Sequence, residues 1–183
     1  MKKAVFLDRD GVIVKQVHFL HTAAETTLEN GVAEGIKRLK ENGFLVICVS
    51  NQSGVARGLF PDTAVAEVND EIQRKLAEKN TAIDDFFTCF HHPDISGACD
   101  CRKPAPGMLL AAAKKWQIDP AASFMCGDKA DDVKAGINAG CRKSFLILTG
   151  YGNSEKSKIP AGTPVCRDFT EFVNSLTDGA TNE

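Results

Sequence analysis

Short apolar runs alternate along the chain with segments whose apolar residues recur at helical spacing. Apolar stretches of about four to eight residues that end at turn residues are typical of strands buried in a parallel sheet. Five such runs predict strands at 4–7, 44–49, 86–90, 123–126 and 145–148, with 165–166 as a shorter sixth candidate.

Five segments between and after these runs have the periodicity of amphipathic helices. Asn30 is the predicted N-cap of the first helix, which ends at Asn42 and Gly43. The other four helices are predicted at 61–76, 104–116, 130–140 and 169–176, with Pro106 in the first turn of the second of these. This alternation predicts an α/β fold, a doubly wound and mostly parallel sheet with helices on both faces.

Composition and charge narrow the classes of function. The 183 residues are 43% hydrophobic and 25% charged, with a net charge of −2 and no dense basic run. A nucleic-acid partner or an anionic membrane surface is therefore not expected. The chain has neither a signal-peptide pattern nor an apolar run of transmembrane length. We expect a cytoplasmic protein, and nothing in the sequence requires more than a monomer.

Polar side chains follow four of the predicted strands. They are Asp8 and Asp10, Ser50, the pair Arg102 and Lys103, and Asp128. Because ligands bind outside the carboxyl ends of the strands in open α/β sheets, these side chains are expected to meet in one crevice. An Asx turn that merely closes the first strand is the alternative interpretation of the Asp-Gly pair that follows it.

These residue types suit Mg²⁺-assisted phosphoryl transfer. Mg²⁺ prefers oxygen ligands, and Asp8 and Asp128 can supply carboxylates. A carboxylate can attack phosphorus, and Asp10 can exchange a proton with the leaving oxygen and the water. Ser50 and Lys103 can bind the transferring phosphoryl group. The spacing alone does not decide which aspartate attacks.

Four segments resemble the motifs of the haloacid dehalogenase superfamily, in the order of that superfamily and over most of the chain. They are Asp8-Arg9-Asp10-Gly11, Ser50-Asn51-Gln52-Ser53-Gly54, Cys101-Arg102-Lys103-Pro104 and Gly127-Asp128-Lys129-Ala130-Asp131-Asp132. The resemblance is close to its D-glycero-D-manno-heptose-1,7-bisphosphate 7-phosphatases and their histidinol-phosphate phosphatase relatives. It implies that Asp8 is the nucleophile, that Asp10 is the general acid/base, and that Ser50 and Lys103 hold the phosphoryl group.

The resemblance also implies the metal and substrate contacts. Mg²⁺ would bind Asp8, the carbonyl of Asp10, and Asp128, while Asp132 would orient its neighbours or be a helix-exposed charge. The substrate contacts are expected from loops at the mouth of the crevice, namely Gln16, Phe19, Asn51, Gln52, Ser53, Arg102 and Lys129. His18 and His21 are open between a ligand role and plain solvation. Arg57 is interpreted as a solvated surface arginine.

Three cysteines and a histidine crowd into one short stretch, Cys89, His91, Cys99 and Cys101. Three thiolates and an imidazole are the ligand set of a closed structural Zn²⁺ site, which would brace the loop that carries Arg102 and Lys103. The same family has a zinc loop of this kind. His92 is the rival imidazole ligand, and free thiols or a Cys99–Cys101 redox pair are the alternatives to metal.

No insertion between Asp10 and Ser50, or between Ser50 and Lys103, is large enough for a cap domain. We therefore expect a single domain over 1–183 with a frayed tail at 177–183. A small phosphorylated metabolite suits such a site, and the resemblance implies that the reaction removes the 7-phosphate of a heptose 1,7-bisphosphate during nucleotide-heptose synthesis for bacterial surface glycans. Histidinol phosphate or another small sugar phosphate is the first rival, and an inactive zinc-binding interaction module is a rival of another class.

Overall fold

A computed structural model describes residues 1–178 of the chain. Its regular elements alternate strand and helix in the predicted manner. The strands are β1 (Lys3–Leu7), β2 (Phe44–Asn51), β3 (Asp85–Cys89), β4 (Phe124–Gly127), β5 (Lys143–Ile147) and β6 (Val165–Cys166). The helices are α1 (Val32–Glu41), α2 (Asp62–Ala77), α3 (Pro93–Ser96), α4 (Gly107–Trp116), α5 (Ala130–Asn138), α6 (Gly152–Glu155) and α7 (Phe169–Thr177).

The six strands form one sheet in the order β3-β2-β1-β4-β5-β6, and every pair is parallel. From β1 the chain winds first towards β2 and β3 and then back past β1 to β4, β5 and β6. The direction of winding therefore reverses between β1 and β4. Such a switch point leaves a crevice at the carboxyl ends of the two strands, where open α/β sheets bind their ligands.

Side chains that alternate along the strands build a core on each face of the sheet. On β1, Val5 and Leu7 join the core under α1, α2 and α7, whereas Ala4 and Phe6 join the core under α4 and α5. Because strand side chains alternate between faces, a strand covered on both faces must be apolar at every position. The predicted doubly wound α/β fold is confirmed.

The structure corrects where two predicted helices begin, and it adds two short helices that were not predicted. Asn30 is not the N-cap of α1, because Gly31 occupies that position with a left-handed φ of 76°. Pro106 is the N-cap of α4 rather than part of its first turn, so this helix begins at Gly107 and not at Pro104. The sequence pattern missed α3 and α6, which span a single turn each and have no periodicity to detect.

Two further expectations concern the tail and membranes. Residues 177 and 178 lie at the end of α7, and the rest of the predicted frayed tail, 179–183, lies outside the described residues. Over residues 1–178, the helices are all too short or too polar to cross a membrane.

Candidate active site

A buried lysine organises the floor of the crevice at the β1–β4 switch point. The Lys103 Nζ donates to Asp8 Oδ1, to the carbonyl of Val49 and to Asp132 Oδ1, each at 2.7 Å. The side chain is only 2% exposed, so all three ammonium protons are used by protein acceptors. Burial opposes the charge, but Asp132 and Asp8 outweigh it and raise the pKa of Lys103 above its ordinary value. Lys103 is therefore a fixed positive charge beside Asp8.

Asp132 is buried rather than exposed on a helix. Its Oδ1 pairs with Lys103, and its Oδ2 accepts from the backbone N–H of Lys129 at 2.9 Å, which closes the first turn of α5. Burial raises its pKa to about 6, against the opposing charge of Lys103. The side chain thus orients Lys103, and the alternative of a solvated charge is wrong.

The side-chain amide of Gln52 links Asp10 to Ser50. Gln52 Nε2 donates both to Asp10 Oδ2 and to Ser50 Oγ, at 2.7 Å each. The buried Arg9 guanidinium contacts both oxygens of the Asp10 carboxylate, with Nε at 3.2 Å from Oδ2 and Nη2 at 3.3 Å from Oδ1. Asp8 and Asp10 line the same cleft, as the two-residue spacing predicts, although β1 already ends at Leu7.

Asp128 is the carboxylate whose hydrogen bonding is incomplete. Its Oδ2 accepts from the backbone N–H of Tyr151 at 2.8 Å, whereas its Oδ1 is buried and has no hydrogen-bond partner among residues 1–178. Burial, with the charges of Asp8 and Asp132, raises its pKa to about 8. A Cβ atom at Gly11 or at Gly150 would lie 2.4 or 2.2 Å from Oδ2, so two glycines make room for this carboxylate.

The oxygen ligands at this floor fit Mg²⁺. Carboxylate oxygens of Asp8, Asp128 and Asp132 lie within 4.8 Å of one another. Asp132 already uses both oxygens on Lys103 and Lys129, so the orphaned Oδ1 of Asp128 and the carboxylate of Asp8 are the free ligands. A buried carboxylate oxygen without a donor favours a cation beside it.

Above this floor opens a cleft of about 250 Å³. All seven predicted substrate contacts line it, namely Gln16, Phe19, Asn51, Gln52, Ser53, Arg102 and Lys129. His18 lines the cleft as well, whereas His21 stacks on Phe60 at 5.0 Å between ring centroids and is not part of the lining.

Three of these residues have partners that place them at the rim. The Asn51 amide exchanges two hydrogen bonds of 3.1 Å with the backbone of Lys103, so it anchors that loop. Arg102 Nη1 donates to the carbonyl of His91 at 3.1 Å. The Lys129 ammonium lies 4.8 Å from the ring centre of Tyr151. Among residues 1–178, no carboxylate forms an ion pair with either the guanidinium or the ammonium.

The sulfur ligands meet in one cluster next to this cleft. The Cys101 Sγ lies 2.9 Å from that of Cys89, 3.4 Å from that of Cys99 and 3.2 Å from His91 Nδ1. A tetrahedral Zn²⁺ with bonds of about 2.3 Å separates its sulfurs by roughly 3.8 Å, so a small expansion would admit the ion. His92 is engaged elsewhere, with Nε2 at 2.7 Å from Arg57 Nη2. The cluster therefore takes His91 and leaves the rival His92 outside.

Two of the residues that sequence reasoning missed contact charged groups of the site. Arg9 is 1% exposed and contacts Asp10, and Tyr151 contacts both Asp128 and Lys129. A signal existed for Arg9, because a charged residue beside a buried strand needs a partner nearby. Tyr151 carries no such signal, since it follows β5 and reaches the crevice only through the fold. Arg57, interpreted as a surface arginine, is exposed as expected but contacts His92.

The open parallel sheet and the carboxylate–lysine crevice at its switch point define the class of haloacid-dehalogenase-like hydrolases. A family model described as HAD-hydrolase-like matches residues 100–172. A D-glycero-β-D-manno-heptose-1,7-bisphosphate 7-phosphatase of Pasteurella multocida is 40% identical over 162 residues, which cover 86% of this chain and 88% of that protein. A D-glycero-α-D-manno-heptose-1,7-bisphosphate 7-phosphatase of Photorhabdus laumondii is 39% identical over 161 residues, covering 85% of this chain and 88% of that protein.

A solved structure gives the same result. The D,D-heptose 1,7-bisphosphate phosphatase from B. bronchiseptica, complexed with magnesium and phosphate, has a TM-score of 0.89 and 35% identity, over 96% of this chain and 98% of that chain. The chain belongs to the D-glycero-D-manno-heptose-1,7-bisphosphate 7-phosphatase family of haloacid-dehalogenase-like hydrolases. This confirms the enzyme class and the resemblance that its four motifs predict.

Proposed function

We propose that this enzyme removes the 7-phosphate from a D-glycero-D-manno-heptose 1,7-bisphosphate, leaving the 1-phosphate for nucleotide-heptose synthesis. The observation that carries the proposal is the Asp8 carboxylate, fixed on Lys103 at 2.7 Å beside the orphaned oxygen of Asp128. A carboxylate held by a buried cation is pre-positioned to attack phosphorus. The relatives that the chain resembles are named for this reaction with either anomer.

In the first half of the reaction, the Asp8 oxygen that Lys103 leaves free attacks phosphorus. The bond between phosphorus and the C7 oxygen of the sugar breaks, and Asp10 gives its proton to that leaving oxygen. Lys103 and the Ser50 hydroxyl stabilise charge on the transferring phosphoryl group. The products of this half are an aspartyl phosphate on Asp8 and the free sugar hydroxyl.

In the second half, the now ionised Asp10 takes a proton from water, whose oxygen attacks the phosphorus of the aspartyl phosphate. The bond to the Asp8 oxygen breaks, inorganic phosphate leaves, and both carboxyl groups return to their starting states. Mg²⁺, held by Asp8, Asp128 and the carbonyl of Asp10, would neutralise charge on the phosphoryl oxygens.

The rim of the cleft favours a bisphosphate. Within residues 1–178, neither Arg102 nor Lys129 forms an ion pair with a carboxylate at the cleft, whereas Lys103 is occupied on the floor. A second phosphate on the substrate would therefore meet two free positive charges. Gln16 and Phe19 from the first loop, and Asn51, Gln52 and Ser53 from the second, would contact the sugar between the two phosphates.

The zinc loop completes the proposal. Zn²⁺ on Cys89, His91, Cys99 and Cys101 would hold the carbonyl of His91, on which Arg102 rests. We further propose that the protein acts as a single-domain monomer in the cytoplasm, without a nucleic-acid or membrane partner. The net charge of −2 disfavours a nucleic-acid or anionic-membrane partner, and the free cysteines fit a reducing compartment.

The test is phosphate release from both anomers of the heptose bisphosphate, from histidinol phosphate and from a nucleotide panel, with and without Mg²⁺. Asp8→Asn should abolish turnover, while Asp70→Asn, at an exposed position on α2, should leave it unchanged. Preference for histidinol phosphate would keep the mechanism and overturn the substrate. No turnover of any ester by a protein that still binds zinc would favour an inactive interaction module instead.

A further inference from the structure

The Arg9 guanidinium is buried in the turn between the two aspartates of the first motif. Its side chain is 1% exposed and does not line the cleft. Nε and Nη2 donate to Asp10 Oδ2 and Oδ1 at 3.2 and 3.3 Å, so the guanidinium spans both oxygens of that carboxylate. Such forked pairs fix the plane of a carboxylate as well as its place.

The other donors of Arg9 connect Asp10 to the rest of the molecule. Nη2 also donates to the carbonyl of Leu20 at 3.3 Å, and Nη1 to Asn69 Oδ1 of α2 at 3.4 Å. Leu20 belongs to the loop whose residues Gln16 to Leu20 line the cleft. One side chain thus joins the carboxylate at the floor to the loop at the rim.

We propose that Arg9 is the positioning residue of Asp10, and that it aligns the Asp10 carboxyl group for proton transfer by tying it to the substrate-lining loop. The inference rests on the proposed function, in which Asp10 is the general acid and base. Because Arg9 itself does not line the cleft and contacts the loop only at the carbonyl of Leu20, its loss should slow proton transfer far more than it weakens substrate binding. A role in folding alone would weaken every step equally.

The leaving group of the substrate separates these roles. An alkyl phosphate such as a sugar phosphate needs a proton on its leaving oxygen, whereas a nitrophenolate leaves without one. We would measure the first turnover by rapid mixing, for the heptose bisphosphate and for 4-nitrophenyl phosphate, in Arg9→Lys, Arg9→Met and Asp10→Asn. Arg38→Met is the control, because Arg38 donates to Asn174, Thr177 and Asp178 far from the cleft.

We expect Arg9→Met to lower the first-turnover rate of the sugar phosphate on the order of 10²-fold and that of nitrophenyl phosphate less than about tenfold, the pattern of Asp10→Asn. Arg9→Lys should show the same selective loss at smaller size, since an ammonium cannot span both oxygens. If Arg9→Met does not fold, the result for Arg9→Lys decides the test. KM should change little in either variant.

Equal losses on both substrates in folded Arg9→Lys, or losses no larger than those of Arg38→Met, would overturn the inference. Failure of the proposed function looks different, because the wild type would then turn over neither ester or Asp8→Asn would retain activity.

Discussion

The floor and the rim of the cleft are built on opposite principles. On the floor, Asp8, Lys103 and Asp132 are almost fully buried and hold one another at 2.7 Å. At the rim, Arg102 and Lys129 are half-buried and rest on a carbonyl and an aromatic ring. The floor serves the phosphoryl group that all phosphate monoesters share, and it is pre-organised. The rim meets the part of the substrate that differs, and its charges are left free to bind it.

The comparison predicts the largest loss on the floor. Lys103→Met leaves Asp8 and Asp132 buried without their cation, and breaking a buried pair in this way costs about 3–5 kcal/mol of unfolding free energy. We expect activity to fall on the order of 10²–10³-fold, because Asp8 loses the cation that positions it and the phosphoryl group loses a fixed positive charge beside it. Chemical denaturation and steady-state kinetics measure the two effects.

Lys114→Met is the matched control, since Lys114 is exposed on α4. If Lys103→Met were as stable as Lys114→Met, the floor would not be the pre-organised half of the cleft.

The second prediction concerns the sulfur cluster, because it lies between the floor and the rim of the cleft. Cys99→Ser should reduce bound zinc below one ion per chain and lower Tm by roughly 5–10 °C, the equivalent of a few kcal/mol for a chain of this size. Activity should drop with it, as Arg102 loses its support at His91. Metal analysis and thermal unfolding give the readout.

Cys141→Ser is the control, at a partly buried cysteine outside the cluster. Equal zinc content in Cys99→Ser and the wild type would show that the cluster does not bind zinc through Cys99 and would contradict its role in supporting the rim.

Effects at the rim should be smaller and selective. Arg102→Ala should raise KM for the heptose bisphosphate roughly tenfold, the loss of one charge-assisted hydrogen bond. KM for a sugar monophosphate and the Tm should stay near wild type, because the side chain is not part of the core. Arg142→Ala provides the comparison, because Arg142 is exposed and precedes the amino end of β5, whereas the cleft lies at the carboxyl ends of the strands. A matching rise of KM for the monophosphate would show that Arg102 does not read a second phosphate.

The smallest predicted effect is a pH dependence of the response to Mg²⁺. The pKa of Asp128 is raised from 3.8 to about 8, so the folded protein binds this proton more tightly than the unfolded chain does. In metal-free protein, the stability due to Asp128 is complete below the unfolded pKa and is lost as pH rises through about 8. The rise of Tm on adding Mg²⁺ should therefore be a few degrees larger at about pH 9 than at about pH 6.

Asp128→Asn should remove most of this pH dependence while leaving the fold intact, because the amide cannot ionise. A Mg²⁺ response that is flat with pH in the wild type, or unchanged in the variant, would separate Asp128 from the metal site.

Sequence reasoning reached the floor more fully than the rim. Asp8 and Asp128 directly follow β1 and β4, Asp10 lies just beyond β1, and Ser50 is the penultimate residue of β2. Because parallel strands bring their carboxyl ends to one edge of the sheet, the meeting of these side chains is predictable. Lys103 reaches the same edge from the segment between α3 and α4. Arg102 was predicted at this edge together with Lys103, whereas its role at the substrate, and that of Lys129, came from the resemblance of the motifs. Tyr151 was not, because it contacts Lys129 only through a loop whose path no local pattern describes.

By itself, the sequence determined the α/β fold, the strand ends that carry polar side chains, and the short stretch that holds three cysteines and two candidate histidines. Each depends on local periodicity or spacing, which a chain carries in its own order of residues. Only the tertiary structure decided that Lys103 donates all three ammonium protons to acceptors on the floor and that one carboxylate oxygen of Asp128 lacks a donor within residues 1–178. It also decided that Arg9 donates to the carboxylate of Asp10. These contacts depend on which buried donor lies next to which acceptor in the folded protein. A buried polar group that lacks a partner costs free energy, so the pairing matters for each of them.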